Sequence, residues 1–441
     1  MKRALGALAL VFLYLFVGLA PLSFMVVGSQ APPRPFVVEL SVALGFVGLS
    51  VMALQFALVA RFRSMAAPFG IDVLQRFHKE ISFVALVFVL SHPILLLAQN
   101  TPRYLPLLLV TTAPWRARFA TISLVLLLLL VSLSIWRRRL RVPYELWQLS
   151  HGLLAVAVVG SALAHIEGVG YYTRGPVRQL LFGLMAASLV SILIWARIIS
   201  PLAQLRRPWR VVRLQPERAR STTVVIEPEG HGGFSFKPGQ FAWISRWPVA
   251  IAQHPFSFSS PTAVEASGRL TVTIKALGDW TRDGKALRPG RRIYLDGPHG
   301  EFSMDLYQAS GYVFVGAGVG ITPLYSMVST MCVREDVRPA ILFYANTDWD
   351  SVIFREQLEE LTLYMPNLKV VYVLQEPPTG WQGESGRITA HLLHRHLPRK
   401  QYRSFEYFVC GPDSLMNATD EALSMIGVPQ ERIHTERFAL V

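Results

Sequence analysis

Long apolar runs dominate the first 200 residues and are absent from the rest of the chain. Each run is close to the roughly 20 residues that a helix needs to cross a bilayer. The pattern therefore predicts six transmembrane helices, including a first span that is retained because its apolar run is longer than that of a signal peptide. The runs lie at 5–28, 36–60, 80–99, 119–136, 147–166 and 177–199.

Beyond residue 208, short β-rich segments separated by Pro and Gly replace the apolar runs. Several such strands over about 100 residues predict a small antiparallel barrel. From Gly311 onward, strands alternate with helices, which predicts a parallel sheet covered by helices on both faces. The expected organisation is a membrane α-helical bundle at 1–204, a β-barrel domain at 205–307 and an α/β Rossmann-like domain at 308–441.

Charge refines this organisation without changing it. The net charge of +14 could indicate nucleic acid, but many basic residues flank apolar runs, as at 61–63 and 137–141, so we expect no nucleic-acid partner. Lys and Arg are more frequent in the loops that lie on the same side of the membrane as the N-terminus. By the positive-inside rule, this predicts a protein of the cell (plasma) membrane whose N-terminus and soluble domains are cytoplasmic. Cys332 and Cys410 provide no disulfide framework.

Four histidines inside the apolar region share one spacing. His78 and His92 are 14 positions apart, and so are His151 and His165. On a helix, 14 positions correspond to ~21 Å of rise and only ~40° short of four full turns, so both histidines of a segment face the same way. Two such helices would offer two stacked His/His pairs, which suits bis-histidine ligation of two haems. A single intramembrane histidine is often a packing residue, but the repeated spacing favours ligation.

Two short motifs in the soluble half suggest cofactor binding. Gly316, Gly318 and Gly320 follow an apolar strand and precede Thr322 and Pro323, where a helix should begin. Such a turn lets a pyrophosphate approach the helix N-terminus, although similar turns also occur for structural reasons. The segment at 254–260, HPFSFSS, offers hydroxyls, amides and aromatic rings that suit a flavin, and it would equally serve as a strand and turn.

Together these motifs resemble the ferric reductase and NADPH oxidase superfamily, in which a six-span haem domain precedes a ferredoxin-reductase-like flavin and nicotinamide module. The resemblance covers nearly the whole chain. It implies FAD, two haem b groups, and NADPH or NADH as the electron donor. The haem ligands it implies are His78, His92, His151 and His165.

The resemblance also assigns cofactor-binding residues in the soluble half. It implies flavin contacts from the HPFSFSS motif, from the IKALGDWT segment at 274–281 and from Phe438 near the C-terminus. It implies nicotinamide-nucleotide contacts from the glycine-rich turn and from the CGPDSLM segment that begins at Cys410. Cys410 and Phe438 are the two residues expected at the site of hydride transfer. The implied contact residues are His254, Pro255, Phe256, Ser257, Ser260, Ile274, Lys275, Gly278, Trp280, Thr281, Gly316, Gly318, Gly320, Thr322, Pro323, Cys410, Gly411, Pro412 and Phe438.

The resulting hypothesis is a flavohaem oxidoreductase that moves electrons from cytosolic NAD(P)H to an acceptor outside. We expect O2, giving superoxide, as that acceptor; a ferric chelate is the alternative. Asp348 and Asp350 follow the second strand of the nucleotide domain, which favours NADH, whereas Arg355 could accommodate a 2′-phosphate. A haem subunit that serves a separate enzyme is less favoured, because this chain has its own flavin and nucleotide motifs. A transporter would need broken helices. Membrane lipid is an expected partner, and no obligatory protein partner is implied.

Overall fold

The fold is taken from a computed structural model, which describes residues 2–26, 34–60, 70–247, 253–262, 268–276, 287–399 and 401–437. The chain divides into two compact units, Met1–Pro201 and Leu202–Val441. The predicted fold class is confirmed: within the described residues, six apolar helices precede an antiparallel sheet and a Rossmann-like parallel sheet. The predicted domain bounds at 204 and 307 stay predictions.

Within the described ranges, six helices of the N-terminal unit are long and apolar enough to cross a membrane. The third helix begins well before its predicted start at residue 80, because its first turns contain charged residues that an apolar-run criterion does not count. The last helix continues through a π-helical turn, Trp195–Ile199, into Ser200–Leu205. The helices are α1 (Lys2–Leu19), α2 (Phe36–Val59), α3 (Ile71–Gln99), α4 (Trp115–Trp136), α5 (Tyr144–Val169) and α6 (Pro176–Ile194).

Close packing in this unit joins α2 to α3 and α4 to α5. A Cβ atom added at Gly48 would lie only 2.8 Å from Cγ2 of Val89, so the glycine allows α2 and α3 to approach closely. A second contact brings α2, α5 and α6 together through Leu49, Val159 and Leu189. Through these contacts α2 and α6 support the two helices that carry the histidines.

The first part of the C-terminal unit is an antiparallel sheet in the order β4-β3-β6-β1-β2-β5. A bridge between Phe258 and Val272 connects its two ends and closes the barrel. Trp209, Ile226 and Phe258 are buried in its core. The strands are β1 (Pro208–Glu217), β2 (Ser221–Pro228), β3 (Phe241–Ser245), β4 (His254–Ser257), β5 (Leu270–Lys275) and β6 (Arg292–His299).

The second part is a parallel sheet in the order β10-β9-β8-β7-β11-β12. Its strands alternate between two cores, because Phe314 packs on the side of α7 and α8 while Val315 packs on the side of α9 and α10. The strands are β7 (Tyr312–Ala317), β8 (Ala340–Asn346), β9 (Leu368–Leu374), β10 (Glu384–Ser385), β11 (Glu406–Gly411) and β12 (Ile433–Arg437), and the helices are α7 (Ile321–Val333), α8 (Arg355–Tyr364), α9 (Ala390–His396) and α10 (Asp413–Met425).

The last strand, β12, is held by a buried carboxylate as well as by its ladder. Glu406 on β11 is 6% exposed and accepts from Arg432 Nη1 at 2.8 Å and pairs with His434 Nε2 at 2.8 Å. Removing one partner of a buried pair leaves the other charge uncompensated. Glu406 therefore fixes the strand that leads to the chain's C-terminal segment.

We expect Glu406→Ala to lower the melting temperature of the C-terminal unit by about 4–8 °C. This corresponds to a loss of about 2 kcal/mol in a unit of this size, less than for a fully buried pair because Arg432 is partly exposed. Thermal unfolding of the full chain, followed by flavin fluorescence, measures the change. Glu431→Ala, which removes an exposed carboxylate beside the same strand, is the matched control, and an equal effect of both variants would contradict the anchoring role.

Candidate redox site

The structure brings the four predicted histidines together as two pairs, one from each of α3 and α5. The first pair is His78 and His151, whose ring centroids are 6.4 Å apart with an angle of 69° between the ring planes. The second pair is His92 and His165, at 6.5 Å and 58°. The 14-residue spacing on both helices therefore produces the same arrangement at two levels.

Both distances fit two imidazoles on opposite sides of one metal ion. With metal–nitrogen bonds of about 2.0 Å and a ring nitrogen about 1.2 Å from its centroid, opposed rings should be about 6.4 Å apart. No group of three or more His, Cys, Asp or Glu that could hold a metal occurs among the residues described. A porphyrin supplies the four remaining nitrogens itself, so a two-histidine donor set suits haem iron.

Three of the four histidines have an acceptor at Nδ1, the nitrogen that would face away from a metal. His92 Nδ1 lies 2.9 Å from Ser41 Oγ and 3.0 Å from Ser41 O. His165 Nδ1 lies 2.8 Å from the carbonyl oxygen of Arg116. His151 Nδ1 lies 3.1 Å from Ser134 Oγ, and Trp147 packs 5.2 Å from the same ring. Such partners fix the ring orientation of a ligating histidine.

The predicted flavin motif forms β4 and the turn after it. Pro255 and Phe256 keep partial exposure, whereas His254 and Ser257 are buried. The hydroxyl of Ser260 accepts from the Thr271 amide at 3.2 Å. The motif therefore presents an apolar strand surface, and at least one of its predicted hydroxyls is engaged within the barrel.

The motif also connects the barrel to the nucleotide domain, which sequence reasoning did not foresee. Ser326 on α7 donates its hydroxyl hydrogen to the Ser260 carbonyl at 2.7 Å. The Thr262 amide donates to Thr330 Oγ1 on the same helix at 3.0 Å. The flavin motif and the helix after the glycine-rich turn are thus joined directly.

The glycine-rich turn lies at the point where the strand order reverses, between β7 and β11. A Cβ atom at Gly320 would lie 2.4 Å from the carbonyl oxygen of Cys410, so only glycine fits. Gly318 has a φ of +53°, and the Thr322 hydroxyl donates to the Val319 carbonyl at 2.7 Å. This crevice at the carboxyl ends of parallel strands is where open α/β sheets bind nucleotides.

Of the residues predicted at 274–281, the structure describes Ile274 and Lys275. Ile274 is buried in β5. The ammonium group of Lys275 lies 3.9 Å from the position that a Cβ atom would take at Gly318. A positive charge next to that turn favours a pyrophosphate. Gly278, Trp280 and Thr281 lie outside the described residues.

Of the two residues expected at the site of hydride transfer, the structure describes Cys410. The Cys410 side chain lies in the core and has no exposed surface. Burial raises the pKa of its thiol well above the usual value. The thiol is therefore neutral, and it could meet a bound nucleotide only if neighbouring side chains moved. Gly411 and Pro412 follow it directly at the strand end. Phe438 lies outside the described residues, and both catalytic roles stay predictions.

The two carboxylates of the segment after β8 have different surroundings. Asp348 caps the following turn by accepting from the Ser351 amide at 2.7 Å, while the Asp350 side chain is 93% exposed. Arg355 stacks on Trp349, 4.8 Å from the ring centroid, and pairs with Glu356 at 3.2 Å. Arg218 from the barrel also reaches Glu356, at 2.5 Å, and it holds the pKa of that carboxyl down at about 2.

Comparison with known sequences identifies the same three parts. A profile described as a ferric reductase like transmembrane component matches residues 44–162, one described as an FAD-binding domain matches 212–303, and one described as an oxidoreductase NAD-binding domain matches 314–421.

Individual proteins match over part of the chain. The stachydrine N-demethylase reductase subunit Stc4 of Rhizobium meliloti is 29% identical over 52% of this chain and 66% of its own length. NADH-cytochrome b5 reductase 1 of Debaryomyces hansenii is 28% identical over 39% of this chain and 61% of its own length. The chain thus spans less than two thirds of the length of these relatives.

A solved structure, the flavohem-like FAD/NAD binding domain of nitric oxide dioxygenase from Vibrio cholerae, is 20% identical over 53% of this chain and 98% of its own, with a TM-score of 0.46. The three profile matches follow one another along the chain in the same order as the membrane helices, the antiparallel sheet and the parallel sheet. The chain therefore shows the ferric reductase and NADPH oxidase-like architecture, a ferric reductase like transmembrane component followed by FAD-binding and NAD-binding domains.

Proposed function

We propose that this protein transfers electrons from cytosolic NAD(P)H, through FAD and two haem b groups, to an acceptor on the outer side of the plasma membrane. The observation that carries the proposal is the pair of opposed imidazoles at 6.4 Å and at 6.5 Å on α3 and α5. When bound, FAD converts a two-electron donor into one-electron steps, and haem b provides one-electron carriers.

The residues of the membrane unit act as ligands and positioners. In each pair, one histidine from α3 and one from α5 would ligate through Nε2, because Nδ1 of three of them is engaged elsewhere. Along each helix, the two ligands are separated by ~21 Å of rise. Two haem sites at that separation would divide electron transfer across a hydrocarbon core ~30 Å thick into shorter steps.

In the soluble unit, this chain's residues bind and orient the two organic cofactors. Pro255 and Phe256 offer an apolar surface for the flavin ring. Lys275, which belongs to the segment expected to bind the flavin, offers a positive charge beside the turn at 316–320, and the glycines of that turn would let a diphosphate approach the helix N-terminus. The hydrogen bonds of Ser326 with Ser260 and of Thr330 with Thr262 hold the two binding regions together.

We infer O2 as the acceptor, with superoxide as the product. If both histidines of the outer pair held the haem, the acceptor would react at the periphery of the site rather than by binding to the metal. A one-electron acceptor that needs no binding cage suits such a site. A ferric chelate is the second candidate, favoured by the match of residues 44–162 to a ferric reductase like transmembrane component.

The first prediction concerns the histidine pairs. We expect the wild-type protein to contain two haems per FAD, and both His78→Ala and His92→Ala to lose about one haem each, because only one histidine of a pair would remain to hold the group. Both variants should still reduce ferricyanide with NAD(P)H through the soluble unit. A pyridine haemochrome assay gives the haem to flavin ratio. His391→Ala, at an exposed position, is the control; two haems retained in either ligand variant would contradict the assignment.

The second prediction concerns the acceptor. In air and without iron, we expect NAD(P)H consumption with about two superoxide molecules per NAD(P)H, since one hydride carries two electrons and superoxide takes one. Superoxide-dismutase-sensitive reduction of cytochrome c measures this yield in reconstituted vesicles. Fast anaerobic consumption with ferric citrate, together with slow consumption in air, would instead establish ferric reduction.

The third prediction concerns the donor. We expect kcat/KM for NADH to equal or exceed that for NADPH, because the two nearby arginines are already engaged. Arg218 pairs with the Asp350 carboxylate at 3.7 Å, and Arg355 contacts Trp349 and Glu356, so neither is free to bind a 2′-phosphate. Asp350→Ala should shift the ratio toward NADPH by about threefold, as for an exposed, screened charge. Glu376→Ala, an exposed change after the next strand, should leave the ratio unchanged. A wild-type enzyme that strongly prefers NADPH would overturn this expectation.

A further inference from the structure

The two histidine pairs differ in the hydrogen-bond acceptors at Nδ1. In the second pair, both Nδ1 atoms lie within hydrogen-bond distance of main-chain carbonyl oxygens, at 3.0 Å for His92 and 2.8 Å for His165. In the first pair, His151 has a hydroxyl at 3.1 Å. The Nδ1 atom of His78 is buried without a hydrogen-bond partner among the residues the structure describes.

The direction of these hydrogen bonds follows from the partners. A carbonyl oxygen can only accept, so Nδ1 of His92 and of His165 must carry the hydrogen. The hydroxyl of Ser134 donates to the Leu130 carbonyl at 2.8 Å, which leaves its oxygen as the acceptor for His151. In all three cases Nε2 keeps its lone pair for a metal. Each Nδ1 donates its hydrogen, and the two histidine pairs differ only in the number and strength of the acceptors.

An acceptor at Nδ1–H makes the ring a stronger electron donor through Nε2. A stronger donor stabilises the oxidised form of the iron that it ligates, which lowers the reduction potential. Nearby positive charges do not explain a difference in reduction potential between the two pairs. Arg197 interacts electrostatically with His151, and Arg116 does so with His165, so both pairs have an arginine nearby.

We infer that Ser134 is a positioning residue that sets the potential of the His78/His151 site, and that this site is the higher-potential one of the two. The inference rests on the proposed haem ligation. The His78/His151 site has one hydroxyl acceptor, whereas the His92/His165 site has two carbonyl acceptors and the Ser41 hydroxyl. Loss of Ser134 would leave the first pair without any side-chain or main-chain acceptor in the described part of the chain.

Spectroelectrochemical titration of the full-length protein tests this inference, with Ser134→Ala as the main variant. We expect two one-electron waves in the wild type, with Ser134→Ala raising the higher one by about fivefold in its equilibrium constant, or ~40 mV at 59 mV per tenfold. Ser134→Thr keeps a hydroxyl and should restore the wild-type value. Ser91→Ala is the matched control, because Ser91 also donates to the carbonyl four residues earlier at 2.8 Å and forms no hydrogen bond with a histidine ring in the described ranges.

A second variant keeps the test decisive if Ser134→Ala is poorly folded. Ser41→Ala removes the hydroxyl that lies 2.9 Å from His92 Nδ1 and should raise only the lower wave, by less than fivefold because the carbonyl remains. Movement of the lower wave by Ser134→Ala, equal movement of both, or no movement beyond that of Ser91→Ala would overturn the inference alone. A wild-type protein without haem would overturn the proposed function as well.

Discussion

The arrangement of the membrane unit depends on one geometric constraint, the equal spacing of two histidines on each of two helices. A ring pair forms at both levels only if α3 and α5 run in the same direction with little relative shift. The packing of α2 on α3 and of α4 on α5 supports each histidine helix from its own neighbour. The space between the opposed rings is therefore set by helix placement and does not require direct packing of α3 on α5.

The same constraint explains why polar groups occur inside apolar helices. A buried hydroxyl without a partner costs free energy in a lipid environment. Ser41 has no exposed surface, and its hydroxyl donates to the His92 carbonyl at 2.9 Å while its oxygen atoms approach His92 Nδ1. Ser134 is satisfied in a similar way between Leu130 and His151. These serines orient the rings, so their positions follow from those of the histidines.

Sequence predicted the spans, the two sheets and the histidine pairs because each leaves a local or periodic signal. The Nδ1 acceptors leave none, since Ser41 and Arg116 belong to other helices than the histidines they contact, and a serine in a span often bonds only its own helix. The burial of Cys410 was equally hidden. Every residue of β11 is buried, because a central parallel strand is covered on both faces, so alternation could not indicate which side chains reach the crevice.

The contacts within the soluble unit bear on how hydride transfer can be kept efficient. Hydride transfer requires the reacting atoms of the flavin and the nicotinamide to be held about 3–3.5 Å apart and aligned. Ser260 ends the flavin motif and Thr262 follows it, and each forms a hydrogen bond with α7, which begins directly after the glycine-rich turn. Lys275 extends from the barrel to that same turn. The residues that would hold the flavin are thereby fixed to the helix that would hold the nucleotide, and a shift of one would move the other.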